Sequence, residues 1–293
     1  MTWVDVVAPT PAEVRALMQE FNLDPAVAQE LTSPSAKSKV ERCEDTLYLV
    51  LHFPALRALH QRTEQEIDFV IGKNFLLTVR YENVDPLHFF AKSFEAQSVL
   101  GRGTAQHGGH LFVALTQSLY RSLSAECDAQ HQRLDEIEDQ IFRGREREMV
   151  ARISQTARII HDFHRILAPH HEMLQSLEPA GEKLFGAGFS YHVRTVVGEY
   201  DRLLHTLERL REWLSELRET NNSLLSLKQN DIMKNLTIMA FTTFPLTLVS
   251  SLFAIDARHR PIIGMEYDFW ILLGLMLVLG LLFFTFFKYK KWL

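Results

Sequence analysis

NLTIMAFTTFPLTLVSSLFAI, from Asn235 to Ile255, and FWILLGLMLVLGLLFFTFF, from Phe269 to Phe287, are the two stretches whose reading decides the fold. They hold 21 and 19 residues, and neither contains an ionisable side chain. Each is long enough for a helix to cross the hydrocarbon core of a bilayer. A soluble core helix rarely stays apolar on all sides for so long, and two such runs in succession point to a membrane. Upstream, as far as Asn230, the chain is charged and periodic.

The flanking charges orient the pair. Lys228 and Lys234 precede the first run, Lys288, Lys290 and Lys291 follow the second, and only Arg258 and Arg260 lie between. Basic residues favour the cytoplasmic side, so both chain ends are expected there, in a multi-pass protein of the cell (inner) membrane. Met1 to Pro11 is too polar for a secretory signal, which agrees. Trp270 and Trp292 suit the two interfaces.

The net charge is −5, from 31 basic and 36 acidic residues. The first 230 residues hold 25 basic against 32 acidic side chains, a balance of −7. That sign opposes nucleic-acid backbones and suits cations. Cys43 and Cys127 form no CxxC pair. No Walker loop, dinucleotide fingerprint, GxSxG or HExxH occurs, so no enzyme class is indicated and no cofactor beyond a cation.

The first hundred residues read as a small α/β domain. Strands are expected at Trp3–Val7, Thr46–Phe53, Glu66–Ile71 and Phe75–Tyr81, with Gly72-Lys73-Asn74 as a hairpin turn. Helices are expected from Pro11 to Glu20, with Thr10 as N-cap, and from Pro86 to Gln97. After the glycines between Gly101 and Gly109 the chain reads as helical: His110 to Phe142, then Glu146 to Leu177 with a break near Pro169. Pro179 to Gly188 reads as a turn. A last helix from about Ser190 is expected to pass straight into the first apolar run. The fold class is thus an α+β cytoplasmic domain (1–100), a long-helix stalk (101–230) and a two-helix transmembrane domain (231–293) with a short external loop.

Asn230, Met233, Thr237, Ala240, Phe244, Thr247 and Ser251 recur every three or four residues and share one helix face. That face mixes small, polar and bulky groups, whereas the second run is uniform hydrocarbon. Two spans cannot enclose a pore, but copies around an axis can. The pattern also fits ordinary helix packing through small and hydroxyl residues. His161, His164, His170 and His171 lack the carboxylate or cysteine that would complete a zinc set. Glu136, Glu138 and Asp139 read as a solvated face.

Five segments resemble the CorA family. Asn230-Asp231-Ile232-Met233-Lys234-Asn235-Leu236-Thr237 is similar to the start of its pore helix, and Phe244-Pro245-Leu246-Thr247-Leu248 to its middle. Lys288-Tyr289-Lys290-Lys291-Trp292-Leu293 is similar to its basic ending. Asp45 to Leu51 and Gly72 to Val79 resemble its cytoplasmic strands. The resemblance implies a funnel-shaped homopentamer in membrane lipid that moves Mg²⁺, or in one branch Zn²⁺ and related metals. Asn230 would then guard the inner entrance, Met233, Leu236 and Phe244 would form apolar gates, and Thr237, Thr247 and Ser251 would line the path. The outer mouth departs from the family. Phe253-Ala254-Ile255-Asp256 stands where the family has Gly-Met-Asn, so Ala254, Ile255 and Asp256 are expected to set ion selectivity. Mg²⁺ is the first expectation. Zn²⁺ or another divalent ion, with proton coupling through Asp256, is the second, and a non-conducting sensor or scaffold of the same fold is the third.

Overall fold

The computed structural model describes residues 1–55, 64–99, 107–254 and 267–290. It resolves into two compact units, Met1–Arg218 and Glu219–Leu293.

The first unit is organised by a sheet of β1 (Thr2–Val7), β2 (Lys39–Cys43), β3 (Thr46–Pro54), β4 (Glu64–Ile71) and β5 (Phe75–Arg80), in the order β1-β5-β4-β3-β2. Strands β2 to β5 form an antiparallel meander, and β1 joins β5 in parallel. Asp5 and Arg80 pair across that join at 2.9 Å, and Thr78 Oγ1 donates to Asp5 at 2.8 Å. The β4–β5 turn closes with Gly72 N–H donating to the Phe75 carbonyl.

Side chains of β3, β4 and β5 are buried on both faces, which is why these strands read as loose apolar runs and show no clean alternation. One face carries α1 (Pro11–Phe21) and α2 (Pro25–Glu30), whose Val14, Leu17, Val27 and Ala28 meet Tyr48, Val50, Val70, Leu77 and Val79. Thr10 and Glu13 cap α1 reciprocally, as the Thr-x-x-Glu spacing requires. The other face carries helices. Phe69 meets Phe112 of α4 (Gly108–Phe142) edge-on at 5.2 Å, and Phe53 meets His170 of α6 (His170–Phe185) at 5.0 Å. Gly108 has a physical reason: a Cβ there would collide with the Gly72 carbonyl oxygen. Helix α3 (Asp85–Val99) sets Phe90 and Phe94 against Trp3.

The expected break near Pro169 separates α5 (Glu146–Leu167) from α6. The expected turn at Pro179–Gly188 is corrected: Pro179 lies inside α6. Proline removes the hydrogen bond to the carbonyl of Gln175. Both residues face water, which can serve that carbonyl, while Leu174, Leu177 and Gly181 hold the helix from its buried side. Gly181 leaves room for the Phe189 ring, which a Cβ at that position would strike. The chain turns only at Gly186, with φ of +89°. Helix α7 (Gly188–Ala254) then has 67 residues. The last helix, α8, is Asp268–Tyr289.

Candidate ion pathway

α7 buries Val193, Val196, Tyr200, Leu203, Leu207, Leu210, Leu214 and Leu217 in the first unit. Their spacing is that of one helix face, and their burial fixes how the helix is rotated about its axis. His107 stacks on Phe185 at 4.5 Å and on His110 at 3.9 Å beside the start of α7. Burial, with His110 and His192 nearby, pushes the His107 imidazole down to about 4, so it stays neutral.

The second unit has the opposite character. Neither apolar window, in α7 or in α8, is buried within the chain. Met233, Leu236, Phe244, Leu248 and Leu252 are all more than half exposed, and so are Phe269, Trp270, Leu277 and Leu281. Water would not tolerate so much contiguous apolar surface, so this surface must be covered by lipid or by other protein.

Asn230, Met233, Phe244, Thr247, Ser251 and Ala254 are exposed on α7, while Thr237 and Ala240 are half-buried. From Asn230 to Ser251 the stripe spans 21 residue steps, about 32 Å, which matches the hydrocarbon thickness. Ile255 and Asp256 lie outside the described residues, as do Arg258 and Arg260.

Four threonines of the span turn their hydroxyl hydrogens onto their own helix. Thr237 donates to the Met233 carbonyl at 2.8 Å, Thr242 to Ile238 at 2.7 Å and Thr247 to Thr243 at 2.9 Å, and Thr243 donates to Met239. A hydroxyl bound in this way has no hydrogen left to offer outward, and only its oxygen lone pairs remain. Thr247, exposed and acceptor-only, is therefore suited to a cation or to the waters around one. Pro245, two residues earlier, has no N–H to give to the Phe241 carbonyl, so the ladder is already open on this turn.

The histidines suspected from sequence do not converge. His170 is fully buried and both ring nitrogens are engaged, while His161 is exposed on α5. Among the described residues no three His, Cys, Asp or Glu side chains are arranged to hold a metal. Sequence reasoning missed a polar group under the sheet, made of His52, Glu66 and Asp68, with its partners Tyr48 and Tyr81.

The family profile described as CorA-like Mg2+ transporter protein matches residues 1–290. The chain belongs to that family. It is 23% identical to the cobalt/magnesium transport protein CorA of Thermotoga maritima, over 100% of this chain and 83% of the relative. The complete structure of the CorA magnesium transporter from Methanocaldococcus jannaschii superposes with a TM-score of 0.86 at 20% identity, covering 99% of this chain and 91% of that one. The ZntB cytoplasmic domain from Vibrio parahaemolyticus shares the fold with a TM-score of 0.62 at 11% identity, over 76% of this chain and 87% of that one. The CorA-like chain is accordingly a membrane transport protein and not an enzyme, and its expected α+β domain, long helices and two C-terminal apolar helices are those of the family.

Proposed function

We propose that this CorA-like protein conducts a divalent cation, Mg²⁺ in the first place, along the exposed stripe of α7 in a homopentamer. The observation that supports this most is the stripe itself: polar and acceptor-only groups set among exposed apolar ones over one membrane thickness. One helix cannot surround an ion, so the stripe acquires meaning only when copies face each other around an axis. The number five rests on the family resemblance. In this reading residues 231–293 form the membrane part, with both ends in the cytoplasm, and 1–100 and 101–230 form the cytoplasmic α/β and stalk parts.

Asn230 is the inner entrance. Met233, Leu236 and Phe244 are apolar gates that stop ions by losing water when narrow. Thr237, Thr247 and Ser251 line the path with oxygens. Mg²⁺ gives up its water reluctantly and passes most easily where neutral oxygens hold its hydration shell loosely. Ala254, Ile255 and Asp256 replace the neutral Gly-Met-Asn at the outer mouth. A ring of Asp256 carboxylates would bind divalent ions more strongly, and its members would compete for protons. That replacement favours a second reading, in which Zn²⁺ or Co²⁺ is the cargo and protons take part. The names of the relatives carry both magnesium and cobalt.

Asp256→Asn tests the reading. It should weaken divalent binding at the mouth and reduce the pH dependence of flux. The triple change Ala254→Gly, Ile255→Met, Asp256→Asn should raise Mg²⁺ preference over other divalents by about tenfold, the effect of about 1.4 kcal/mol. Unchanged ion preference and pH response in both variants would place Asp256 off the path.

A further inference from the structure

Under the sheet, on the face covered by α1 and α2, three ionisable side chains stand together: His52 on β3 and Glu66 and Asp68 on β4. His52 pairs with Glu66 in the strand register, and Asp68 lies two residues on, so all three share one face. Glu66 accepts the Ser35 N–H on both oxygens at 2.8 Å, and its own carboxylate lies 3.5 Å from His52 Nε2. His52 Nε2 is also 3.1 Å from the Ser35 carbonyl. A carbonyl only accepts, so Nε2 carries the hydrogen. Nδ1 then meets Ser38 Oγ at 3.1 Å, accepting from it when the ring is neutral and donating to it when charged. These contacts fasten the segment between α2 and β2, residues 31–38, to the sheet.

Asp68 is completely buried. Tyr48 and Tyr81 donate to its Oδ2 at 3.4 and 3.3 Å, and its Oδ1 finds no hydrogen-bond partner among the described residues. A buried carboxylate with so little compensation beside a second carboxylate retains a proton.

We propose that His52, Glu66 and Asp68 form a proton-responsive latch, which holds residues 31–38 against the sheet at lower pH and loosens them as pH rises.

The sign follows from each group. The pair with Glu66 raises His52 above the ordinary histidine value, against the pull of burial, and the Ser35 carbonyl adds to the rise. Burial, then the charge of Glu66, pushes Asp68 up to about 9. Both groups hold protons in the folded state that the unfolded chain would release. Both therefore contribute stability that is complete at low pH and is lost as pH rises through their raised values. The surrounding groups do not reverse this. From α2, Glu30 adds negative charge, and Lys39 of β2 offsets it by pairing with Glu30 and with Glu41. Burial lowers Lys39, but those pairs outweigh it, and it stays charged over the Tyr48 ring. Glu64 of β4 faces Arg165 of α5 at 3.3 Å. Burial holds Tyr48 and Tyr81 far above their ordinary value, so both remain donors.

The same strand position reaches the opposite layer. His170 Nε2–H donates to the His52 carbonyl at 2.8 Å, and Tyr120 donates to His170 Nδ1 at 2.8 Å. Burial pushes His170 down to about 4, so it stays a neutral strut. The latch thus sits where β3 is fixed to α4 and α6.

Hydrogen exchange on the full chain in detergent tests the proposal. The reading is the protection of peptides covering residues 31–38, corrected for intrinsic rates. Protection should fall by about tenfold or more as pH rises from about 6 to 9.5, because protons held more tightly in the closed state favour opening as they leave. His52→Gln keeps a side-chain donor but cannot titrate, and it should remove the step on the neutral side. Asp68→Asn should remove the alkaline step. A flat wild-type profile, or the full step retained in His52→Gln, overturns the latch. If either variant fails to fold, the His52 imidazole can be titrated by NMR in the wild-type chain. A midpoint above the ordinary histidine value supports the latch, and one at or below it overturns the latch.

Discussion

The two halves of α7 both carry apolar residues at helical spacing and have opposite surroundings. From Val193 to Leu217 its leucines and valines are buried against the first unit, and between them Glu199, Arg202, Glu208 and Arg209 form the outward side. From Asn235 to Ala254 the outward side carries no charge: Leu236, Phe244 and Leu248 are exposed there, with Thr247 and Ser251 among them. One half is an amphipathic helix that ends its hydrophobic burden within its own chain. The other half leaves it exposed, to be covered by lipid or by other protein. Helical period alone does not distinguish these cases. The charge on the opposite face does.

The largest expected effect contrasts one leucine from each half. Leu207→Ala should lower stability by about 2–5 kcal/mol, because Leu207 is buried and its loss leaves a cavity. Leu248→Ala, at an exposed position, should cost less than about 1 kcal/mol. Thermal unfolding of the full chain in detergent compares them. An equal loss at both positions would mean that protein packs around Leu248 as tightly as around Leu207.

A smaller effect sharpens the buried side. His107 is held neutral, so it contributes stability above its ordinary value, and this is lost as pH falls toward about 4. Its buried Nδ1 has no partner among the described residues, while its ring stacks on Phe185. His107→Phe should keep the stacking, gain about 1 kcal/mol by removing an unpaired polar atom, and flatten the acid limb of stability against pH. A variant as acid-sensitive as the parent would assign that limb to other groups.

Much of this architecture can be read in the residues. The apolar runs exceed what a soluble helix needs, Thr10-x-x-Glu13 announces α1, and Pro169 marks the α5–α6 break. Other parts are silent for physical reasons. Helix α2 has six residues, too few for a period to show, and β2 is a short edge strand whose Lys39, Glu41 and Arg42 look like loop. Pro179 reads as a breaker because its tolerance depends on Gln175 facing water. Asp68 reads as the polar member of an alternating strand, and only the cover of α1 and α2 makes it a buried acid. The stripe along the second half of α7 is legible as a spacing. That Thr247 has turned its hydrogen inward is not, because it depends on the helical carbonyl one turn back.

Conduction of ions along the exposed half of α7 is the proposal on which the rest depends. Purified full-length protein in sealed vesicles loaded with a Mg²⁺-sensitive dye tests it most directly, with an inside-negative potential imposed. Mg²⁺ should enter well above the rate in protein-free vesicles and faster as the potential grows, with Co²⁺ or Zn²⁺ competing. If no divalent cation enters faster than in protein-free vesicles, the chain has kept a transporter's fold without its conduction, and the pathway along α7 is wrong.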